Sequence, residues 1–174
     1  MALGKQRLLY QKVISLTKSI TYHKSPVGEL ALVAEDDKLI IIGLVGDDMP
    51  DDIVECIPGE ETPILAQTKQ QLDEYFAGKR RNFDLPLAPQ GTDFQVAVWD
   101  ALYTIPWGET RNYGQIAAQV NKPKAARAVG GANNRNPIAI VIPCHRVIGA
   151  NGAMVGYRGG IDIKEHLLKL EGII

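Results

Sequence analysis

An unbroken apolar run late in the chain, Ile138-Ala139-Ile140-Val141-Ile142, constrains the fold more than any other feature. Short runs of mostly β-branched apolar residues are typical of strands that are buried on both faces. Pro143 follows directly and cannot donate to a sheet ladder, so the predicted strand ends there. Because Cys144 and His145 come next, the sequence predicts a rigid, buried mount that carries a thiol and an imidazole.

The pair of Cys144 and His145 has two interpretations. Adjacent residues of a strand point to opposite faces, so the two side chains could act together only at a turn or through a bridging water. A small buried cysteine beside a surface histidine is the other interpretation, and for an isolated pair it is the commoner one. The surroundings of the pair therefore decide between a structural thiol and a nucleophile.

Charge is distributed unevenly along the chain. Residues 1–90 carry 10 Lys/Arg against 14 Asp/Glu, a net charge of −4, and residues 91–174 carry 9 against 6, a net charge of +3. No acidic residue lies between positions 111 and 161, where seven basic residues occur: Arg111, Lys122, Lys124, Arg127, Arg135, Arg146 and Arg158. This sorting favours a polyanionic partner for the second half, although small basic faces are common on proteins without one.

Cysteine usage and the N-terminus indicate the compartment. Two cysteines, Cys56 and Cys144, do not make a disulfide framework, and no paired Cys or His spacing predicts a metal site. The first 18 residues have no unbroken apolar run and no small-residue cleavage site, so no signal peptide is predicted. No stretch approaches membrane-spanning length. We therefore expect an intracellular location, cytoplasmic or nucleoid-associated, without a membrane partner.

The first half predicts a small α+β unit. Strands expected at 29–34 and 39–45 belong to a β-meander. Thr62-Pro63 begins a helix that ends at Gly78, with threonine as N-cap and proline in the first helical position. We see no catalytic constellation here. The predicted divisions are an N-terminal extension of unknown role at 1–18, a scaffold domain at 19–85 and, beyond a proline-rich linker, a second domain at 91–174.

The second half predicts helices. Thr92 and Gln95 have the spacing of a capping box, which begins the first of them. Two short helices follow at 112–120 and 125–132, joined by a tight turn. In a basic region, this order is the outline of a helix-turn-helix.

The second short helix carries small residues where a major-groove reader offers long polar ones. Ala126 and Gly130 would let the backbone approach a minor groove closely, and Arg127 is the only long side chain. Tight packing against another helix would explain the same composition equally well. On the DNA interpretation, Arg127 fills the space of a base taken out of the stack, and Tyr113, which begins the preceding helix, meets a phosphate.

A glycine-rich loop and a last helix complete the pattern. Five glycines between positions 149 and 160 accompany Tyr157 and predict a pocket wall that exposes backbone groups to a flat ligand. The loop lacks the spacing and the lysine of a phosphate-binding loop. Glu171 would lie at the C-terminal end of a helix over 164–171, where the helix dipole disfavours a carboxylate. Glu171 therefore has either no importance or a specific partner.

Pro143-Cys144-His145-Arg146-Val147 resembles the active-site motif of the O6-alkylguanine-DNA alkyltransferases. The resemblance is dense over residues 91–172 and thinner at 25–28. Its further motifs are Gly91–Gln95, Val98-Trp99, Ile105-Pro106, Tyr113-Gly114, Ala126–Gly130, Asn136-Pro137 and Gly156-Tyr157. The resemblance implies an α+β fold, in which a small ribonuclease-H-like domain precedes a helical winged helix-turn-helix domain.

The resemblance also implies an activity, namely DNA repair by direct reversal. The alkyl group of O6-alkylguanine, and of O4-alkylthymine, would move irreversibly to Cys144, without a cofactor, on double-stranded DNA bound by a monomer. The implied catalytic residues are Cys144 as nucleophile, His145 as its activator through a water, Glu171 as the residue that orients His145, Asn136 as support of the turn and Tyr113 as proton donor. The implied substrate-binding residues are Tyr113, Val147, Tyr157 and Arg158, and the implied DNA-binding residues are Arg127, Ala126, Gly130 and Tyr113. Arg158 stands where the family often has a small residue, which could narrow the pocket mouth.

Three other classes of protein share part of this pattern. A non-catalytic alkylated-base binding protein would have the scaffold but not Cys144. A cysteine hydrolase would need an oxyanion hole and turnover. A DNA-binding regulator would not need the buried Cys-His-Glu set.

Overall fold

The computed structural model describes residues 18–46, 57–58 and 61–174, and for residues 57–58 it describes the backbone alone. The predicted N-terminal extension at 1–18 lies outside the described residues except for Lys18, which begins the first strand. Cys56 also lies outside them.

The first half forms a four-stranded sheet in the order β3-β2-β1-β4. Its strands are β1 (Lys18–Ser25), β2 (Gly28–Glu35), β3 (Lys38–Leu44) and β4 (Ile57–Pro58). The first three strands are antiparallel neighbours, which confirms the meander, and β4 pairs in parallel with β1. Residues 30–34 of β2 are all buried, since both faces of this central strand are covered.

Helix α1 (Pro63–Phe76) packs on this sheet through its buried apolar residues. Gly78 follows it with a φ of +71°, the left-handed conformation that ends many helices and that glycine adopts at no steric cost. The predicted start and end of this helix are confirmed. Thr62 occupies the N-cap position, but its hydroxyl makes no capping hydrogen bond.

The second half contains four helices among the described residues, together with a two-stranded parallel sheet. In chain order, the elements are α2 (Asp93–Tyr103), β5 (Arg111–Asn112), α3 (Tyr113–Gln119), α4 (Ala126–Asn134), β6 (Val147–Ile148) and α5 (Ile161–Leu170). The predicted capping box is confirmed, since Thr92 Oγ1 accepts from the Gln95 amide and the Gln95 side chain accepts from the Thr92 amide. Trp99 Nε1 donates to the Ala132 carbonyl at 2.9 Å and joins α2 to α4.

The strand predicted at 138–142 is wrong, although its burial is right. Only Ile138 makes a sheet contact, a bridge to Ile42, and the chain then coils, with Ile140 at a φ of +72°. Asn136 is the reason. Its side chain accepts from the Ile138 amide at 3.1 Å and donates to the Ile142 carbonyl at 2.7 Å, so it satisfies backbone groups that a strand would have paired. The segment 138–142 is apolar because the hydrophobic core surrounds it.

The two halves share one apolar core. Ile42 of β3 donates to the Pro137 carbonyl at 2.9 Å and accepts from the Ala139 amide at 3.1 Å, so the coil lies along the edge of the sheet. Buried residues of both halves form one contiguous cluster. The described helices include none that is long and apolar enough to cross a membrane. The α+β fold class is confirmed.

Candidate active site

Cys144 and His145 lie together in a single turn of 3-10 helix, Cys144–Arg146, and both side chains are buried. This turn removes the geometric objection to adjacent residues, since the two side chains need not point to opposite faces as they would in a strand. Asn136 contacts the same turn from the coil that precedes it, because its side chain hydrogen-bonds to Cys144 and its amide also donates to the Ile142 carbonyl.

Glu171 lies next to His145 and accepts hydrogen bonds from three side chains in a buried cluster. His145 Nε2 is 2.7 Å from Glu171 Oε1. Arg146 Nε donates to Oε2 at 2.7 Å, and its Nη2 donates to Oε1 at 3.0 Å. The hydroxyl of Tyr75 also donates to Oε1, at 2.7 Å. We call these four residues the Glu171 network.

The Glu171 network gives the carboxylate specific partners at an otherwise unfavourable place. Glu171 is the C-cap residue of α5, where the helix dipole opposes a negative charge. Burial raises the pKa of Glu171, but the hydrogen bonds from His145 and Arg146 outweigh burial and lower that pKa to about 2. The carboxylate is therefore ionised at neutral pH.

The protonation state of His145 follows from this charge. An ionised carboxylate can only accept, so His145 Nε2 carries the proton and Nδ1 keeps its lone pair. Burial lowers the pKa of His145, and the contact with Glu171 offsets that effect only in part, so the neutral ring dominates at pH 7. Nδ1 is buried and has no hydrogen-bond partner in the structure. The ring thus offers a free acceptor on the side away from Glu171.

Cys144 needs such an acceptor. Burial raises the pKa of its thiol, and the Asn136 side chain and the charge of Lys164 counteract burial only in part. The resting thiol is therefore protonated, and reaction requires transfer of its proton. This arrangement can generate a thiolate on demand, which is the chemistry of nucleophilic catalysis.

Three members of this site have no signal in the sequence analysis beyond their place in a helix or motif. Tyr75 has the spacing of an ordinary core residue of α1, and Arg146 counted there as one of the basic residues. Lys164 lies on α5 with its side chain buried, and its ammonium donates to the carbonyls of Val147 and Val155. A charged residue at an apolar helix position is the one hint that could have identified Lys164.

A cavity of about 620 Å³ opens beside Cys144. Asn136, Tyr157 and Arg158 line it together with residues of β3, whereas Tyr113 and Val147 are not among its lining residues. A Cβ at Gly159 would lie 2.6 Å from Leu44 Cδ1, so a larger residue there would displace the Leu44 side chain where the loop approaches β3. The structure thus brings Tyr157 and Arg158 to the cavity that Cys144 opens into.

Tyr113 and Val147 have other contacts, outside the lining of this cavity. Val147 is fully buried, and its carbonyl accepts from Lys164. The Tyr113 hydroxyl donates to the Val155 carbonyl at 3.0 Å. Burial, and next the nearby Cys144, raise the pKa of Tyr113, so its hydroxyl keeps its proton.

Helix α4 presents two different sides. Val129 and Ala132 are buried in the core, whereas Arg127 is exposed. Ala126 and Gly130 are half-buried, and a Cβ at Gly130 would lie 3.7 Å from the ring of Tyr113. The small residues of α4 therefore allow close packing within the protein. They also leave one side of the helix with Arg127 as its only long side chain. Within the described residues, no group of three or more His, Cys, Asp or Glu could hold a metal ion.

Comparison with known protein families agrees with this geometry. Residues 93–173 match the model of the 6-O-methylguanine DNA methyltransferase DNA binding domain, and residues 19–89 match that of the ribonuclease-like domain of the same family. The chain belongs to the 6-O-methylguanine DNA methyltransferase family.

Individual relatives cover most of the chain. A methylated-DNA–protein-cysteine methyltransferase of Methanosarcina acetivorans is 52% identical over 153 residues, which are 86% of this chain and 95% of the relative. The constitutive enzyme of that name from Bacillus subtilis is 50% identical over 156 residues, 88% of this chain and 94% of the relative. A solved structure of Mycobacterium tuberculosis OGT in complex with DNA superposes with a TM-score of 0.81 at 45% identity, and covers 90% of this chain and 92% of that one.

Proposed function

We propose that this chain is a DNA repair enzyme that transfers the alkyl group of O6-alkylguanine, or of O4-alkylthymine, in double-stranded DNA to Sγ of Cys144. The observation that carries the proposal is the buried Cys144 thiol in one turn with His145, whose Nε2 is fixed by Glu171 at 2.7 Å. An alkyl carbon bound to oxygen requires a strong, soft nucleophile, and a thiolate is one.

The transfer takes place in one displacement. The Cys144 proton passes to His145 Nδ1 through a bridging water, and Glu171 stabilises the imidazolium that forms. The thiolate attacks the alkyl carbon, the S–C bond forms, and the C–O6 bond breaks with its electron pair on the guanine. Tyr113 donates a proton to the departing guanine and regains one from solvent, while His145 releases to solvent the proton that it took from Cys144. The products are unmodified guanine and S-alkylcysteine, and the buried thioether makes the enzyme single-turnover.

DNA binding and base extrusion are assigned to α3 and α4. One side of α4 carries the exposed Arg127 and the small, half-buried residues Ala126 and Gly130. This side suits a minor groove that is bound through phosphates and shape. Arg127 would take the place of the extruded guanine, which enters the pocket near Tyr157 and Arg158. Three further statements stay predictions: the division into a scaffold domain at 19–85 and a DNA domain at 91–174, the monomeric state, and the intracellular location.

The experiment follows the alkyl group. Duplex DNA that carries O6-[³H]methylguanine is incubated with the protein, and intact and peptide mass spectra are recorded. We expect one added methyl per chain, on Cys144, and none in Cys144→Ser, which should still bind DNA. Release of methanol, or more than one turnover, would indicate a hydrolase instead. Binding without transfer would indicate a non-catalytic alkylated-base binding protein.

A further inference from the structure

Tyr75 brings the first half of the chain into the site. It lies near the end of α1, is fully buried, and donates to Glu171 Oε1 at 2.7 Å across 96 positions of sequence. The same oxygen is 2.7 Å from His145 Nε2 and 3.0 Å from Arg146 Nη2. Three donors therefore share one carboxylate oxygen, and one of them is the imidazole of His145, the residue that follows Cys144 in the same turn.

The ring of Tyr75 is held without help from its hydroxyl. Its centroid lies 5.3 Å from that of Phe76, 5.4 Å from that of Phe83 and 5.5 Å from that of Trp107. Burial, and next the charge of Glu171, raise the pKa of Tyr75 well above its usual value, so the hydroxyl keeps its proton and donates. Aromatic packing therefore fixes this donor, and removal of the oxygen should leave the ring in place.

We propose that Tyr75 is a positioning residue for alkyl transfer, which holds Oε1 of Glu171 in place and limits the attraction of that carboxylate for a proton on His145. This inference rests on the proposed function, because it assigns a purpose to a neutral His145. With the hydroxyl removed, Oε1 has two donors in place of three and stabilises an imidazolium better. His145 then takes up a proton at higher pH and is lost as an acceptor for the Cys144 proton.

The charged and titratable groups that act on His145 come from its own turn, from α5 and from α1. Glu171 attracts a proton to the ring, whereas Arg146 and Lys164 repel one. Cys144 precedes His145 in the same turn, and Tyr75 reaches the shared carboxylate from α1. Of these groups, Tyr75 is the one whose hydroxyl can be removed without a change in formal charge. Tyr75→Phe therefore isolates the hydrogen bond.

The experiment compares Tyr75→Phe with Tyr103→Phe, a matched control whose exposed hydroxyl donates to the Phe83 carbonyl at 3.2 Å, away from Glu171. Single-turnover rate constants are measured between pH 5.5 and 8 with methylated duplex and with O6-benzylguanine. Carboxamidomethylation of Cys144 by iodoacetamide is followed by peptide mass spectrometry over the same range. In Tyr75→Phe, we expect the acidic limb of all three profiles to move to higher pH, with rates about three- to tenfold lower at pH 6 and DNA affinity unchanged.

A double-mutant cycle with Glu171→Gln tests the route of action. If Tyr75 acts through the carboxylate, Tyr75→Phe should change the transfer rate of Glu171→Gln very little. Additive losses, or a lower melting temperature with an unmoved acidic limb, would overturn the proposal and leave Tyr75 a purely structural residue. Absence of alkyl transfer by the unsubstituted protein would instead contradict the proposed function. The pH profile of the iodoacetamide reaction would still show whether Tyr75 affects the reactivity of Cys144 through His145.

Discussion

The Glu171 network and the exposed side of α4 use charge in opposite ways. In the network, a carboxylate, a guanidinium and an imidazole are removed from water and satisfied by one another. On α4, Arg127 stays in water with its charge available to a partner. A buried charge responds strongly to the loss of one neighbour, whereas an exposed one responds to salt. The first region is therefore suited to reaction and the second to binding.

The largest expected effect is that of salt on DNA affinity. Seven basic residues occur between positions 111 and 161, but Arg146 is buried on Glu171, and Arg111 is paired with Glu109 at 2.9 Å. At most five phosphate contacts therefore remain, and the logarithm of affinity should fall with the logarithm of salt with a slope no steeper than about −4.5. Fluorescence anisotropy between 50 and 200 mM salt measures this slope, and a loss of affinity of up to about five hundredfold is expected. A steeper slope would mean that Arg146 or Arg111 also contacts phosphates, which would contradict this division between buried or paired charges and available ones.

Glu171→Gln should have the next largest effect, and it acts on both folding and reaction. Loss of the carboxylate leaves the Arg146 guanidinium buried without its counter-charge, which costs about 3 kcal/mol of unfolding free energy. Alkyl transfer should slow and the apparent pKa of the Cys144 thiol should rise, while DNA affinity changes little. Urea denaturation and single-turnover kinetics measure these quantities. Glu165→Gln, which alters a solvent-facing carboxylate on the same helix, is the control.

Acid should weaken the same network in two steps. The folded pKa of His145 lies below its ordinary value of 6.5, so its contribution to stability is present above pH 6.5 and is lost as pH falls. The folded pKa of Glu171 is about 2 against an ordinary 4.5, so its contribution is present above pH 4.5 and is lost as pH falls toward 2. The second step is worth roughly 3 kcal/mol at most. Urea melts from pH 7 to pH 3 should show stability falling throughout, and a rise below pH 6.5 would contradict the assigned charges.

Arg127→Ala should have the smallest effect on stability and a selective effect on reaction. Because the side chain is exposed, we expect an unfolding free energy within about 0.5 kcal/mol of the unsubstituted protein. Repair of duplex DNA should slow about tenfold or more, while reaction with O6-benzylguanine, which needs no base extrusion, stays the same. Lys124→Ala is the control for a lost phosphate contact, which should weaken binding and reduce the salt slope by about one. If Arg127→Ala slows the reaction with duplex DNA and the reaction with O6-benzylguanine equally, Arg127 contributes to the pocket or to folding and not to base extrusion.

Local signals predicted much of the framework. The capping pair of Thr92 and Gln95, the proline at the start of α1 and Gly78 at its end each act within a few residues, so their consequences are visible in the sequence. The apolar run at 138–142 predicted burial correctly and a strand wrongly. The Asn136 side chain forms the hydrogen bonds that a neighbouring strand would have formed with Ile138 and Ile142, and hydrophobic periodicity carries no information about such bonds.

The site shows the same division between local and distant information. The sequence alone determined that Cys144 follows a buried segment, that His145 adjoins it, and that Glu171 ends a helix where a carboxylate requires a partner. Only the tertiary structure decided that Arg146 is buried in an ion pair and that Tyr75, 96 positions away, donates to the same carboxylate. The physical reason is that charge satisfaction inside a core depends on which distant elements meet there. Composition and spacing record what each segment can do locally, and packing selects the partners.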